Sequence, residues 1–167
     1  HLFLILLEYL SMLGFPYAKV LSQSICLINL QKYHKDLHTF IINEKNKADQ
    51  GQVDSMYEYG IRKLNDEGDE VEAAKYLQMA ADHNSFEAMN IIGTMLQNGI
   101  GVEKNAKKAS EYLKKAADNG NCIAMYKYGK MLFEGDGILI DKNEGIKYIK
   151  NAINHNIKQA LKYYLKK

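Results

Sequence analysis

The sequence matches itself at a fixed offset. Ala88-Met89 returns as Ala124-Met125, Tyr76-Leu77 as Tyr112-Leu113, and Ala80-Ala81-Asp82 as Ala116-Ala117-Asp118, so Ala81 and Ala117 stand 36 residues apart. Asp69, Asn105 and Asp141 keep the same interval of 36. A period of about 20–50 residues means that one supersecondary unit stacks on its neighbours, because a unit of that size cannot bury its apolar side alone. Gly93 to Gly129 is also 36, whereas Gly60 to Gly93 is 33, so one copy is three residues short. Gly60 and Asp69 are 9 positions apart where Gly93–Asn105 and Gly129–Asp141 each span 12. The deletion is expected in a loop, since loop length costs little and a three-residue shift inside a helix would rotate its buried stripe.

Each copy reads as two antiparallel helices. Ala88, Ile92 and Leu96 recur as Ala124, Tyr128 and Leu132, a four-residue spacing that lines one helical face. Gly93 and Gly129 fall inside this first helix, where glycine costs about 1 kcal/mol relative to alanine; their return predicts a helix packed close against them. The second helix opens at Asp69, Asn105 or Asp141 as N-cap, and Glu72 and Glu144 three residues on resemble the acid of a capping box. Behind the caps come Ala73, Tyr76 and Ala80, then Ala109, Tyr112 and Ala116, then Gly145, Tyr148 and Ala152. Small residues at helical spacing let helices approach, with the tyrosine filling the wedge between them.

The same ruler extends outward. Ala81–Ala88, Ala117–Ala124 and Ile153–Ala160 are 7 apart, as are Ala48–Ser55 and Ser11–Ala18, with Gly14, Gly51 and Gly120 in one column. Asp36 lies 12 before Ala48, as Asp69 lies 12 before Ala81, which makes it a candidate N-cap for a helix over 37–47. Pro16 falls between helices, where proline does least harm. The expected organisation is residues 1–50 as degenerate repeats or a helical extension, a shortened repeat at 51–85, repeats at 86–121 and 122–157, and a capping helix or truncated further repeat at 158–167. Ala160 and Tyr164 continue the stripe in that last segment, whose lysines suit the polar outer face of a terminal unit.

The run from Ala88 through Gly93, Gly99-Ile100-Gly101-Val102, Lys108-Ala109, Tyr112 and Lys115-Ala116-Ala117-Asp118-Asn119-Gly120-Asn121 resembles the Sel-1-like repeat, a relative of the tetratricopeptide repeat. Ala124 to Asn156 is a second good copy, and Ser55 to Asn84 a shortened one without the Gly-x-Gly hook. The resemblance covers roughly the last two-thirds of the chain. It implies an all-α fold, a right-handed superhelix of antiparallel helix pairs, serving as a non-enzymatic adaptor in signalling or protein quality control. Its structural positions here are Gly60, Ala88, Gly93, Gly99, Gly101, Tyr112, Ala116, Ala124, Gly129, Gly135, Gly137, Tyr148 and Ala152. Tyrosine-rich copies are similar to those that some unicellular eukaryotes append to protein kinases, so one alternative is the regulatory tail of a larger signalling enzyme. Secreted bacterial members with a cysteine pair in each repeat are not matched by a chain whose cysteines are Cys26 and Cys122.

Other chemistries find little support. The net charge of +2 is too small and dispersed for a nucleic-acid binder. Two cysteines without a partner at metal-like spacing suggest neither a disulfide framework nor a zinc site, and a reducing, cytoplasmic setting is the simplest expectation. Gly99-Ile-Gly101 and Gly135-Asp-Gly137 lack the preceding strand and the Lys-Ser/Thr of a phosphate loop, so they are expected to be tight interhelical hooks and no cofactor is implied. His34 and His38 are spaced for one helical face, yet Lys35 stands where a zinc-protease motif needs Glu; a solvated helix face is the plainer reading. His83 and His155 occupy matched helix ends, which the helix dipole favours without any catalytic task. Cys122 sits in the column of Phe86 and Val53 as a small hydrophobe. The Asp66–Glu72 acids read as a solvated loop and helix start. The chain begins with His1 and is expected to be a piece of a longer one. Its apolar opening is interrupted by Glu8, well short of the roughly 20 residues of a membrane span; a membrane-anchored quality-control adaptor is a further alternative.

A partner, expected to be a protein or peptide segment rather than nucleic acid, a small-molecule cofactor or a membrane, would meet the concave surface lined by first helices. Offsets of two, three and six from the alanine column give three ladders: Tyr57, Asn90 and Tyr126; Glu58, Ile91 and Lys127; Ile61, Thr94 and Lys130. Aromatic, amide and charged groups in such ladders suit peptide recognition, although Tyr57 and Tyr126 could equally support adjacent repeats.

Overall fold

The computed structural model describes residues 31–32, 35–36 and 39–166, and the chain divides into two compact units, His1–Asn43 and Glu44–Lys167. Every described residue of the first unit is helical. Asp36 is one of them, following helical Lys35, so it is not the N-cap that its offset from Ala48 suggested; a cap needs non-helical backbone. The apolar opening, Ser11, Gly14, Pro16, Ala18, Cys26, His34 and His38 lie outside the described residues.

In the second unit residues 44–49 are helical and are followed by α1 (Val53–Arg62), α2 (Glu70–Asp82), α3 (Phe86–Asn98), α4 (Ala106–Asp118), α5 (Cys122–Glu134), α6 (Lys142–Asn154) and α7 (Lys158–Tyr164). No strand occurs among the described residues. Each odd-numbered helix packs on the even-numbered one after it, and each of these on the next odd-numbered helix. Ala88, Ile92 and Leu96 of α3 and Ala124, Tyr128 and Leu132 of α5 are buried, as are Ala73, Tyr76, Ala80, Ala109, Tyr112, Ala116 and Ala152 of the even-numbered helices. Ala48, in the column of Ala81, is wholly buried as well.

The helix ends follow from the residues placed there. Asp69, Asn105 and Asp141 accept from the backbone N–H of Glu72, Lys108 and Glu144 at 3.0, 2.9 and 2.9 Å. The reciprocal half of a capping box is not made. The cap N–H groups of Asn105 and Asp141 donate instead to the Leu96 and Leu132 carbonyls of the preceding helix, and that of Asp69 to the Lys63 carbonyl. With the backbone donor already satisfied across the hairpin, the acids are free for other partners: Glu72 pairs with Lys63 at 3.0 Å and Lys45 at 3.4 Å. Burial pushes the Glu72 carboxyl up, but these bonds and charges outweigh it and hold it below its ordinary range.

The three-residue deletion falls in the connection between the two helices, which is shortened and partly replaced by a π turn. After α1 the chain widens into a π-helical turn, Lys63–Glu67, and ends on left-handed Gly68 immediately before the Asp69 cap. The helical run thus continues two residues further than in the other copies, and Gly68 alone leads to the next cap where the following, full-length copy uses residues 99–104. The full-length copies end instead on left-handed Gly99 and Gly135, each followed by a second glycine at positive φ, Gly101 at +64° and Gly137 at +73°. These second glycines are pressed against the previous repeat. A Cβ on Gly101 would meet the Glu70 carbonyl oxygen at 2.1 Å, and one on Gly137 would meet the Ala106 Cβ at 2.1 Å. The Gly-x-Gly hook thus seats each repeat on the start of the preceding even-numbered helix.

Within a repeat, Gly60, Gly93 and Gly129 make the close approach their recurrence predicts. A Cβ on Gly60 or Gly93 would stand 2.8 Å from the Cγ of Leu77 or Leu113. In the third copy it is backbone that fills the space: a Cβ on Gly129 would meet the Gly145 carbonyl oxygen at 2.8 Å, and one on Gly145, standing where the other copies have alanine, would meet the Gly129 carbonyl oxygen at 2.7 Å.

A tyrosine strut ties each repeat to the one before. The hydroxyls of Tyr76, Tyr112 and Tyr148 donate to Asp49, Asp82 and Asp118 at 2.6, 2.7 and 2.5 Å; Tyr112 also accepts from Gln78. Burial first, and the carboxylate acceptors next, raise all three phenols, Tyr112 from 10.0 to about 12. A phenol raised in the folded state contributes stability that is complete below its unfolded value and is lost as pH climbs through the folded one. For Tyr112 that window runs from 10.0 to about 12. The urea midpoint is therefore expected to fall steeply across this window, and Tyr112→Phe, at a cost of about 1–2 kcal/mol near neutrality, is expected to flatten the fall. An unchanged alkaline slope in that variant would remove the strut from the stability argument.

Candidate functional site

The ladder residues lie on α1, α3 and α5, and those of α3 and α5 meet between repeats. Tyr57, Ile61, Ile91, Thr94, Tyr126, Lys127 and Lys130 are half-buried, Glu58 is exposed, and Asn90, expected to face solvent, is buried. Its burial has a specific cause. The Lys127 ammonium donates to Asn90 Oδ1 at 3.1 Å and to Thr94 Oγ1 at 2.6 Å, covering the amide from the next repeat. Desolvation lowers the Lys127 ammonium below its ordinary range.

Two more residues complete this end of the face. Tyr163 of α7 packs edge-on against Tyr126, ring centres 6.0 Å apart, and donates from its hydroxyl to Glu134 at 2.8 Å. Lys130 lies 3.7 Å from Glu134 and over the Tyr163 ring at 6.0 Å. Tyr163 stands three residues past Ala160, the offset already used for Glu58, Ile91 and Lys127, so the ladder rule extended one copy further finds it. Glu134 is ten past Ala124, an offset that returns to the same helical face but was not in the rule.

At the other end, burial and then the carboxylates of Glu58 and Glu87 raise the Tyr57 phenol. No hydrogen bond, ion pair or ring contact among the described residues joins Tyr57, Glu58 or Ile61 to the Lys127 cluster. The nine ladder residues therefore form two groups: an acidic one around Tyr57, and a basic, aromatic one around Lys127.

The other candidates take structural places. His83 and His155 are helix C-caps whose ring Nδ1 atoms lie 2.9 Å from the carbonyls of Met79 and Asn151. Half-buried Cys122 directs its thiol to the Gly120 carbonyl at 3.4 Å. No group of three or more His, Cys, Asp or Glu among the described residues is placed to hold a metal ion. No helix among them is long and apolar enough to cross a membrane.

Helix hairpins with hooks between them and ladders along the first helices define an α-solenoid, the class of protein whose surfaces generally mediate protein association. The Sel1 repeat family matches residues 51–85, 86–121, 122–156 and 151–166, and the chain belongs to that family. Its members are typically non-catalytic protein-interaction scaffolds. Among solved structures, the chain is similar to a Sel1 repeat protein from Oxalobacter formigenes, with 27% identity, a TM-score of 0.66, and coverage of 75% of this chain and 97% of that one. It is also similar to c5321, a protective antigen of uropathogenic Escherichia coli with an SLR fold, at 28% identity and a TM-score of 0.67 over 72% of this chain and 26% of that one. Helicobacter pylori cysteine-rich protein B shares the fold at 19% identity and a TM-score of 0.60, covering 77% and 95% of the two chains. No curated protein matches.

Proposed function

We propose that this chain is a protein-interaction scaffold that takes an extended protein segment along the concave face of its odd-numbered helices. The observation that carries this reading is the row of half-buried polar and aromatic side chains running from Tyr57 to Tyr163, on helices whose opposite stripes are buried in α3 and α5 and reduced in α7 to Ala160, with Tyr164, expected on that stripe, exposed. Half-buried aromatic groups with polar neighbours are what binding faces use as anchors, since they offer large area at small ordering cost. Enzymatic turnover is no part of the proposal.

The test is affinity capture with the native chain and with Tyr57→Ala and Tyr126→Ala. Loss of partners by these variants, with helicity and melting otherwise retained, is the expected outcome. Tyr126 touches Tyr163, so a modest loss of stability, about 1 kcal/mol, is anticipated there from the broken ring pair. Identical partner sets from all three proteins would remove the concave face from the reading.

A further inference from the structure

The basic end of the face contains a charge that folding alone does not explain. Lys127 is half-buried, its two acceptors are the neutral oxygens of Asn90 and Thr94, and no carboxylate among the described residues pairs with it. Some other lysines of the same unit have an acid at hand: Lys63 has Glu72, Lys114 has Asp118, Lys130 has Glu134. An ammonium carries three donors, so two are taken and one remains. Taking a cation from water without a counter-charge costs free energy that two neutral acceptors only partly return. The direction of the Lys127 shift, downward by desolvation, agrees: the fold penalises the charged form. Buried groups that oppose stability in this way are a mark of sites built for a ligand.

The surroundings say what kind of ligand. Lys130 is one helical turn from Lys127, and Lys162 of α7 follows at an offset of two from Ala160. Tyr126 and Tyr163 supply ring surface beside them. The far end of the face carries Glu58 and Glu87 around Tyr57. A segment lying along this face thus meets carboxylates at one end and ammonium groups at the other.

Resting on the reading of this face as the binding surface, we infer that its occupant is an extended protein segment with acidic side chains. An Asp or Glu carboxylate of that segment takes the remaining Lys127 donor between Asn90, Thr94 and Lys130, and an apolar or aromatic neighbour packs on Tyr126 and Tyr163. The match fixes direction as well as composition, because reversing the segment would set its acids against Glu58 and Glu87. Any partner acid reaching Lys127 supplies a counter-charge that the described residues do not.

The experiment uses the full chain and terminally blocked fluorescent peptides of one length that alternate leucine with glutamate, glutamine or lysine, read by anisotropy. The glutamate series is expected to bind, with the glutamine and lysine series weaker by roughly tenfold or more. Lys127→Met is expected to abolish that preference while leaving the thermal midpoint unchanged or raised, and Lys127→Arg to retain it in part. A residue kept only for the fold would show the opposite split. Equal binding of glutamate and glutamine peptides, or an unchanged preference in Lys127→Met, overturns the acidic assignment; if Tyr126→Ala still weakens both, the face itself stands. Glutamate peptides that bind with no response to Lys127, Tyr57 or Tyr126 substitutions overturn the face as well. Absence of binding to every acidic peptide also overturns the assignment.

Discussion

Replacing Gly101 by valine is expected to destabilise the chain by about 2–5 kcal/mol, summing left-handed backbone strain and overpacking. Two independent constraints meet at this residue. Its φ of +64° lies in the region that a β-branched side chain occupies only under strain, and its Cβ would stand 2.1 Å from the Glu70 carbonyl oxygen. Moving the hook away relieves the clash but withdraws it from the first turn of α2. The damage should therefore be greatest at the junction between repeats, seen as faster amide exchange in the first turns of α2 and α4. Gly99→Asn is the matched control. It too has positive φ, 76°, but the nearest atom to its Cβ is 3.5 Å away, and asparagine tolerates this conformation; a loss of about 1 kcal/mol or less is expected. Gly120→Asn should be close to neutral, since Asn84 and Asn156 already hold φ of 66° and 62° one repeat to either side. Comparable melting of Gly101→Val and Gly99→Asn, measured by circular dichroism, would show that the hook bears no load between repeats.

The helices were legible from the sequence because their determinants are local and recur. An N-cap is one residue type before an apolar stripe, and Asp69, Asn105 and Asp141 announce themselves by interval alone. The glycines inside α3 and α5 were legible for a related reason: a costly residue that returns in register has to have a neighbour that needs the space. What escaped depended on pairings across repeats. Tyr112 was expected to fill a wedge, but nothing in a one-dimensional reading couples its hydroxyl to Asp82, 30 positions earlier. Glu72 looked like half a capping box because its spacing fits, whereas the Asp69 N–H was already taken by the Lys63 carbonyl. Asp36 had the right interval from Ala48 but not the right backbone, since an interval cannot register that a helix is already under way. Asn90 was placed on an open ladder by helical geometry and is buried because a lysine from the next repeat lies over it. Offsets find the face of a helix, and only packing decides which parts of that face stay wet.

Truncating Leu113 to alanine is expected to cost about 2–5 kcal/mol, the range for removing a fully buried leucine. Leu113 is wholly buried, and its Cγ occupies the space that the missing Cβ of Gly93 leaves. That geometry makes the loss conditional on residue 93. Gly93→Ala alone sets a methyl 2.8 Å from Leu113 Cγ and 3.3 Å from the Ala109 carbonyl oxygen, so overpacking of about 1–3 kcal/mol opposes a helix-propensity gain of about 1 kcal/mol. In the double variant the new methyl enters part of the cavity left by Leu113, and the clash disappears. The combined loss should then fall short of the sum by about 1 kcal/mol or more, a coupling that touching residues show and distant ones do not. The same cycle at Gly129 should not be rescued by truncating Ile149, because there the obstacle at 2.8 Å is the Gly145 carbonyl, which no side-chain change removes. Urea denaturation of the four proteins of each cycle measures both couplings. Additive losses at Gly93 and Leu113 would mean that the paired glycine and leucine columns are not what holds the two helices of a repeat together.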